Sequence, residues 1–310
     1  QSNLFPVSEF LTGEQGGDLP GGFDPYGYLV EEGHKHGLRV YAWINPYRIT
    51  TGTAESPKTD VNALDKSNPA RIHPEWTVAY ADGRLYYNPG LPEVRELIVS
   101  GVRELVENYD VEGIHLDYIR YPTRNFGFSS QNRSAFAKGW GVDPLDLVGR
   151  PDYWTSRLGP EDCQRLLDDW DQFRRDKVTD LVRQIRAEMK ELNPDLKLSA
   201  AVYGDVKDSR EERLQDWSKW LAEGLLDFAV PMLYSTSTLM VDSQIQQILK
   251  TTEGTLYIGL GAYALVDEPQ ILVEQIQKVR ARGASGVVLF SFNAIVDHPR
   301  LLMLLQQALG

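Results

Sequence analysis

The chain has 310 residues, 42% hydrophobic and 25% charged, which is typical of a globular protein with one large domain or two small ones. A net charge of −12 argues against a groove for nucleic acid, because phosphates bind to clustered Lys and Arg. The single cysteine, Cys163, excludes a disulfide within the chain and a cysteine-based zinc site, and no apolar run reaches the length of a membrane span.

Apolar runs of strand length alternate with amphipathic segments of helical period from Arg39 onward. The predicted strands are 39–44, 111–116, 197–203, 228–233, 256–260 and 286–290. The predicted helices are 24–36, 92–109, 163–192, 211–223, 242–249, 269–282 and 299–308. Strands that alternate with helices predict a parallel sheet with right-handed crossovers.

Six such units are two fewer than a closed (β/α)8 barrel requires. The Gly-rich segment 1–22 contains no convincing strand and is predicted to be a loop. One alternative is an open six-stranded sheet; the other is a TIM-type barrel whose first two strands are absent or only partly represented in this chain. We favour the barrel, as one domain over 1–310, because polar side chains follow nearly every strand. Two long loops, 48–84 and 118–160, would wall its cleft.

The strand predicted over 111–116 leads directly into a carboxylate. His115 and Asp117 are two residues apart, so on a strand both point to the same side, which is the interior of a barrel. Carboxylates at the carboxyl ends of barrel strands are typically catalytic, because that face carries the active site. The alternative is a structural Asp117 that binds Arg120 or a backbone amide.

Other strand ends carry aromatic and neutral polar side chains. A sugar ring stacks its apolar face on aromatic rings and bonds its hydroxyls to polar groups, so this mixture favours a carbohydrate site. Asn88 either faces this cleft or caps the following helix. The predicted substrate-binding residues are Trp43, Asn45, Tyr47, Arg48, Asn88, His115, Arg120, Tyr121, Tyr203, Tyr234, Tyr263 and Asn293.

The sequence favours no metal and no cofactor. His34 and His36 stand two apart on a predicted helix, which turns them to different sides. The segment Gly259-Leu260-Gly261 lacks the third glycine and the following helix of a dinucleotide-binding motif. No Gly-rich phosphate loop follows a strand, which argues against a phosphorylated substrate, and the expected partner is an oligosaccharide or polysaccharide.

Seven motifs together resemble those of the glycosyl-hydrolase-like family ten. They are LTGEQG at 11–16, GFDP at 22–25, HGL at 36–38, WINPYR at 43–48, HPEW at 73–76, NPGLPEVR at 88–95 and GIHLDYIRYP at 113–122. The resemblance extends from about Leu11 to the end of the final strand segment, 286–293. It implies a bacterial (β/α)8 barrel that is exported or lipid-anchored, and it implies that the first strand and most of the second precede Gln1. The implied substrates are glycan strands, with peptidoglycan as the leading class.

The chain departs from this family at three strand ends. Members often have two adjacent acids where this chain has Asp117 and Tyr118. The family's usual Pro-Phe-Gly-Ile is replaced by AVYGD at 201–205, and Met232 stands where Gln is common. The amino terminus carries no basic and apolar signal region, so a signal was either removed or never present.

These observations predict an extracytoplasmic glycoside hydrolase in which Asp117 is catalytic. Glycosidic cleavage normally takes two carboxylates, and Asp205 is the preferred partner, with Glu75 and Asp242 as alternatives. An N-acetyl group on the substrate could replace the second carboxylate. The rival hypotheses are a non-catalytic glycan-binding barrel and a metal-dependent hydrolase.

Arg48 and Arg120 are predicted to lie beside Asp117. Nearby guanidinium groups lower the pKa of a carboxyl, so the sequence predicts an ionised Asp117 that acts as a nucleophile or base.

Overall fold

The computed structural model describes residues 24–309, so the loop predicted over 1–22 lies outside the described residues. Its strands are β1 (Tyr41–Ile44), β2 (Thr77–Ala79), β3 (Leu85–Tyr87), β4 (Gly113–Leu116), β5 (Lys197–Tyr203), β6 (Phe228–Met232), β7 (Tyr257–Gly261) and β8 (Gly286–Phe290). Its helices are α1 (Pro25–Lys35), α2 (Pro69–Ile72), α3 (Pro92–Asn108), α4 (Ser130–Trp140), α5 (Pro144–Gly149), α6 (Pro151–Leu158), α7 (Pro160–Leu192), α8 (Val206–Glu212), α9 (Trp217–Ala222), α10 (Thr238–Thr251), α11 (Pro269–Arg282), α12 (Phe292–Val296) and α13 (Pro299–Leu309).

Two compact units divide the described residues. The first contains the residues up to Lys197 together with Glu211–Leu214, and the second contains Leu198–Arg210 and the residues from Gln215 onward. The interpretation of 1–310 as a single barrel domain stays a prediction.

In the first unit, β1 and β4 are parallel neighbours. They pair from Tyr41 opposite Gly113 to Ile44 opposite Leu116. Helix α3 begins at Pro92, where a missing N–H costs no hydrogen bond. Its buried residues Val94, Ile98, Val102 and Leu105 recur every three or four positions, so one face of the helix packs into the core.

In the second unit, β5, β6, β7 and β8 are parallel, each beside the next in chain order. Helix α10 connects β6 to β7, and α11 connects β7 to β8; each buries an apolar stripe. Helix α11 has the predicted bounds, because Pro269 starts it and Gly283, at φ 79°, ends it in the left-handed conformation. The predicted alternation of parallel strands and helices is confirmed.

The two long loops contain more secondary structure than predicted. The loop predicted over 48–84 contains strand β2 and leads into β3, which pairs antiparallel with β2. Within 118–160 lie α4, α5 and α6, which share a core with α7. That core is formed by Phe136, Val142, Leu147 and Trp170.

The single helix predicted over 211–223 is wrong. The chain forms α8 and α9 instead, separated at Leu214, whose φ of 52° is incompatible with a continuous right-handed helix.

Candidate active site

Asp117 is placed by the pairing of β1 with β4. Trp43 lies opposite His115 in the register, and the Asp117 backbone N–H donates to the Ile44 carbonyl at 2.8 Å. The carboxyl group therefore emerges immediately beyond the carboxyl ends of two parallel strands, where α/β folds commonly hold their ligands.

Asp117 is buried, with 9% of its surface exposed, and its carboxylate is surrounded by donors. Its Oδ1 accepts from the Tyr118 backbone N–H at 2.7 Å and lies 3.9 Å from the Arg120 guanidinium. The Trp43 side chain also hydrogen-bonds to it. Both contacts of the structural alternative, Arg120 and a backbone amide, are thus present.

Burial has the largest effect on the pKa of Asp117. Desolvation raises the pKa of this carboxyl above its usual value, although Arg120, the Tyr118 N–H, Arg48 and Trp43 each act to lower it. The prediction that the arginines lower the pKa overall is wrong, because removal of the carboxylate from water outweighs their attraction. A raised pKa suits a general acid, which must carry a proton, better than a nucleophile.

Tyr118 holds both arginines. The Arg48 Cζ lies 4.1 Å from the centroid of the Tyr118 ring, and the Arg120 Cζ lies 4.2 Å from it. Both distances are within the range of cation–π contacts. Tyr118 also has a φ of 52°, a left-handed conformation that costs energy for a residue with a side chain. Sequence reasoning missed Tyr118, whose only signal was a tyrosine where similar proteins often have an acid.

His115 and Asn45 are partly buried near these strand ends. Burial lowers the pKa of His115 to about 4, so its imidazole is neutral at physiological pH. A neutral imidazole can donate and accept hydrogen bonds but supplies no positive charge.

Four predicted substrate-binding residues are buried: Tyr47, Asn88, Arg120 and Tyr121. Tyr47 is 1% exposed and Tyr121 is fully buried. Asn88 is also buried: its amide donates to the Ser129 hydroxyl at 3.0 Å, and its carbonyl accepts from Asn132 at 2.9 Å. Helix α3 is capped by Leu91. Asn88 therefore does not cap α3; it joins the loop before α3 to α4, and its place at the cleft stays a prediction.

In the second unit, three aromatic rings meet beyond β6, β7 and β8. The rings of Tyr234 and Phe290 are nearly parallel at 5.8 Å between centroids, and Tyr263 lies edge-on to both at 5.9 and 6.0 Å. Sequence reasoning singled out Tyr234 and Tyr263 but missed Phe290, whose signal was its position as the last residue of a strand.

Asp205 has a local structural role. Its Oδ1 accepts from the Asp208 backbone N–H at 2.8 Å, which caps the start of α8. Tyr203 precedes it at the end of β5 and is half-buried, whereas Asn293 lies exposed in α12. The assignment of Asp205 as the second catalytic acid stays a prediction.

The two alternative candidates for the second catalytic acid also have partners among neighbouring side chains. Glu75 is exposed and lies 3.0 Å from the His73 imidazole. Its own backbone N–H, and then His73, lower its pKa. Both carboxylate oxygens of Asp242 bond to Arg282 at 2.8 Å, which lowers the pKa of Asp242. Neither has the raised pKa found at Asp117.

Comparison with known proteins defines the family. The model described as Glycosyl hydrolase-like 10 matches residues 1–275. The chain belongs to this family. It is 32% identical to glycosyl hydrolase YngK of Bacillus subtilis (strain 168), over 95% of this chain and 57% of that protein. It is 28% identical to glycosyl hydrolase DigH of Escherichia coli (strain K12), over 86% of this chain and 60% of that protein. The chain thus spans less than two thirds of the length of these relatives.

Solved structures with a similar fold are glycoside hydrolases. The PgaB (BpsB) glycoside hydrolase domain from Bordetella bronchiseptica aligns with a TM-score of 0.65 at 16% identity, over 91% of this chain and 78% of that one. The GH42 β-galactosidase Gan42B from G. stearothermophilus aligns with a TM-score of 0.56 at 15% identity, over 93% and 46%. These similarities confirm the prediction of a TIM-type α/β fold that represents part of a (β/α)8 barrel.

The described part of this glycosyl hydrolase-like 10 chain contains neither a membrane-spanning helix nor a cluster of metal ligands. Between residues 24 and 309, no helix is long and apolar enough to cross a membrane. In the same range, no group of three or more His, Cys, Asp and Glu side chains is arranged to hold a metal ion.

Proposed function

We propose that this chain is the catalytic part of a glycoside hydrolase in which Asp117 is the general acid. The observation that carries the proposal is the buried Asp117 carboxyl, whose pKa is raised at the carboxyl ends of β1 and β4. A carboxyl with a raised pKa keeps its proton to a higher pH than an ordinary aspartic acid, and it can donate that proton to the leaving glycosidic oxygen.

Proton transfer is the step that these residues support. The Asp117 carboxyl protonates the bridging oxygen as the bond from this oxygen to the anomeric carbon breaks, so that the leaving sugar departs with a neutral hydroxyl. The resulting carboxylate is stabilised by the Tyr118 N–H and the Arg120 guanidinium, which already contact Oδ1. A water molecule later adds to the anomeric carbon and returns a proton to Asp117.

The second catalytic group, which acts at the anomeric carbon, is either the Asp205 carboxylate or a group of the substrate itself. Asp205 is the proposed partner from the sequence, although its Oδ1 is used to cap α8. If the sugar carries an N-acetyl group at C2, the acetamide oxygen can attack the anomeric carbon, and one protein acid is then sufficient. Glycan strands of peptidoglycan carry such groups, and they remain the proposed substrate. An enzyme that acts on them works outside the cytoplasm, which is the proposed location.

Release of reducing ends from peptide-free peptidoglycan strands tests the proposal. Wild type should release them, and Asp117→Asn, which keeps the size of the side chain but cannot donate an acidic proton, should lose about 100-fold or more in rate. Asp110→Asn is the matched control, because the Asp110 side chain is 99% exposed and lies before the amino end of β4. Equal rates for wild type and Asp117→Asn would remove Asp117 from the mechanism.

A second substrate distinguishes the two forms of the mechanism. Chemically de-N-acetylated strands should be resistant if the acetamide is the nucleophile. If such strands are cleaved at an undiminished rate and Asp205→Asn abolishes this cleavage, the two-carboxylate form holds instead.

The rival function is a glycan-binding protein without turnover. It is favoured by the contacts of Asp117 with Arg120 and the Tyr118 N–H, which would also hold a purely structural carboxylate. Calorimetry with the same strands, alongside the turnover assay, separates the two: saturable binding without product would establish this rival.

A further inference from the structure

We propose that Tyr234, Tyr263 and Phe290 form a preorganised stacking subsite for the apolar face of a neutral pyranose ring. This inference rests on the proposed function and specifies one part of its substrate recognition. We call the three side chains the aromatic triad.

The triad lies at an edge where ligands bind. Tyr234 is two residues beyond β6, Tyr263 is two residues beyond β7, and Phe290 is the last residue of β8. These strands are parallel and consecutive in the sheet, so their carboxyl ends lie along one edge. In α/β folds that edge is where ligands commonly bind.

The triad is not part of the core. Tyr234 is 37% exposed, Phe290 is 42% exposed and Tyr263 is 49% exposed. Leu233 and Ala262, which directly precede Tyr234 and Tyr263, are buried, so the exposure begins at the two tyrosines themselves. Three contiguous aromatic rings left in water form the kind of exposed apolar surface that marks a binding site.

The rings are held in place before any ligand arrives. Gly261 has an ordinary φ of −84°, so the backbone does not require a glycine there. A Cβ at this position would lie 3.2 Å from the Tyr234 Cβ and 3.3 Å from the Tyr263 Cε1. The glycine is therefore needed for space, because it allows the two tyrosine rings to close over it.

The backbone beside Tyr234 is fixed in the same way. Gln275 is fully buried in α11, and its amide donates to the Ser235 carbonyl at 2.8 Å. The Leu233 N–H donates to the Gly259 carbonyl at 2.8 Å. Anchors on both sides of Tyr234 reduce the conformational entropy that binding would otherwise remove.

The chemistry of the triad selects the ligand class. None of its members is charged, and Phe290 offers only a ring. An aromatic surface of this kind binds the C–H face of a sugar, whereas a phosphate or carboxylate ligand would require cations or aligned N–H donors. The fitting ligand is a pyranose with one face free of charged substituents.

Kinetics on peptide-free peptidoglycan strands test the subsite. Tyr263→Ala and Phe290→Ala should each raise KM about fivefold to tenfold, because an aromatic contact contributes roughly 1 kcal/mol, and kcat should change less. Tyr263→Phe keeps the ring and should stay within about twofold of wild type. Gly261→Ala keeps all three rings, but its Cβ would press on Tyr234 and Tyr263, so it should raise KM as well. Tyr28→Ala, at a half-exposed tyrosine of α1, is the control.

The outcomes distinguish this inference from the proposed function. If wild type cleaves the strands and the triad variants keep its KM, the inference is overturned and the function stands. If wild type binds the strands without cleavage and the triad variants weaken calorimetric binding, the function falls and the inference stands. If wild type neither binds nor cleaves the strands, both are wrong. A triad variant that changes only the oligomeric state in sedimentation would overturn the inference in favour of a contact between copies.

Discussion

Replacing Tyr118 by Ala and by Gly separates the strain of its backbone from the contacts of its ring. The φ of 52° places Tyr118 in the left-handed region, and its ring contacts the guanidinium groups of Arg48 and Arg120. Both substitutions remove the ring, but only Gly adopts this backbone conformation without steric cost.

The two effects have different magnitudes. Loss of two cation–π contacts, each worth about 0.5–1 kcal/mol, should make Tyr118→Ala less stable than wild type by roughly 1–2 kcal/mol. Gly relieves a penalty of about 1–2 kcal/mol for an L-residue in this region, but it adds entropy to the unfolded chain. The balance should leave Tyr118→Gly more stable than Tyr118→Ala by roughly 0.5–1 kcal/mol.

A helical tyrosine provides a control in which the sign is reversed. Tyr28 lies in α1 and is also half-exposed. There Gly should be less stable than Ala by about 1 kcal/mol, because a helix interior penalises glycine. Urea unfolding followed by circular dichroism measures all four variants on the same scale.

One result would refute this reasoning. If Tyr118→Ala is at least as stable as Tyr118→Gly while the Tyr28 pair behaves as expected, the left-handed backbone at Tyr118 stores no strain. Turnover should fall in both Tyr118 variants, because the arginines beside Asp117 lose the ring that holds them.

Three further outcomes are expected. Burial raises the pKa of Asp117 in the folded protein, so the free energy of unfolding of wild type should fall relative to that of Asp117→Asn as the pH rises through that pKa. Urea unfolding of both proteins from acidic to neutral pH checks this. A difference that stays constant with pH would contradict it. Arg120→Met removes a group that lowers the pKa of Asp117, so the alkaline limb of the pH–rate profile should move to higher pH. Arg120→Lys should move this limb less. A shift to lower pH would show that Asp117 is not the titrating acid. Asn88→Ala removes the buried hydrogen bonds to Ser129, Asn132 and the Gly90 N–H, and it should cost about 1–3 kcal/mol of stability with KM unchanged. A raised KM at unchanged stability would instead place Asn88 at the substrate.

The fold was predictable where local signals agree with tertiary packing. Strands β5 and β8 and helix α11 have their predicted bounds, because apolar runs and Pro or Gly boundaries coincide there. The β2–β3 pair was missed because strands of three residues are too short to show a period, although Asp82-Gly83 is a turn signal. Helix α4 has both a Ser129 cap and a left-handed Gly141 at its end, so its signals were present but not used.

The candidate site was predictable in its residue types but not in its electrostatics. The position of Asp117 after β4 follows from the strand pattern, and its closeness to Arg48 and Arg120 follows from parallel pairing. The direction in which its pKa shifts depends on how much of the carboxyl is removed from water, and this is decided by side chains that are distant in sequence. The burial of Tyr47 and Tyr121 has the same origin, since either residue could face inward or outward from a strand end.

A tyrosine rather than a carboxylate next to Asp117 leaves the pKa of Asp117 to be set mainly by burial and by the two arginines. A second carboxylate next to Asp117 would attract both guanidinium groups, and two adjacent acids would then share two cations. In this chain the ring of Tyr118 holds Arg48 and Arg120 at 4.1 and 4.2 Å, and Arg120 stays 3.9 Å from the Asp117 carboxylate, longer than a direct hydrogen bond. The attraction between Arg120 and Asp117 is weakened by that distance, so desolvation dominates and the pKa rises. In the proposed mechanism, this balance is what fits Asp117 to the role of general acid.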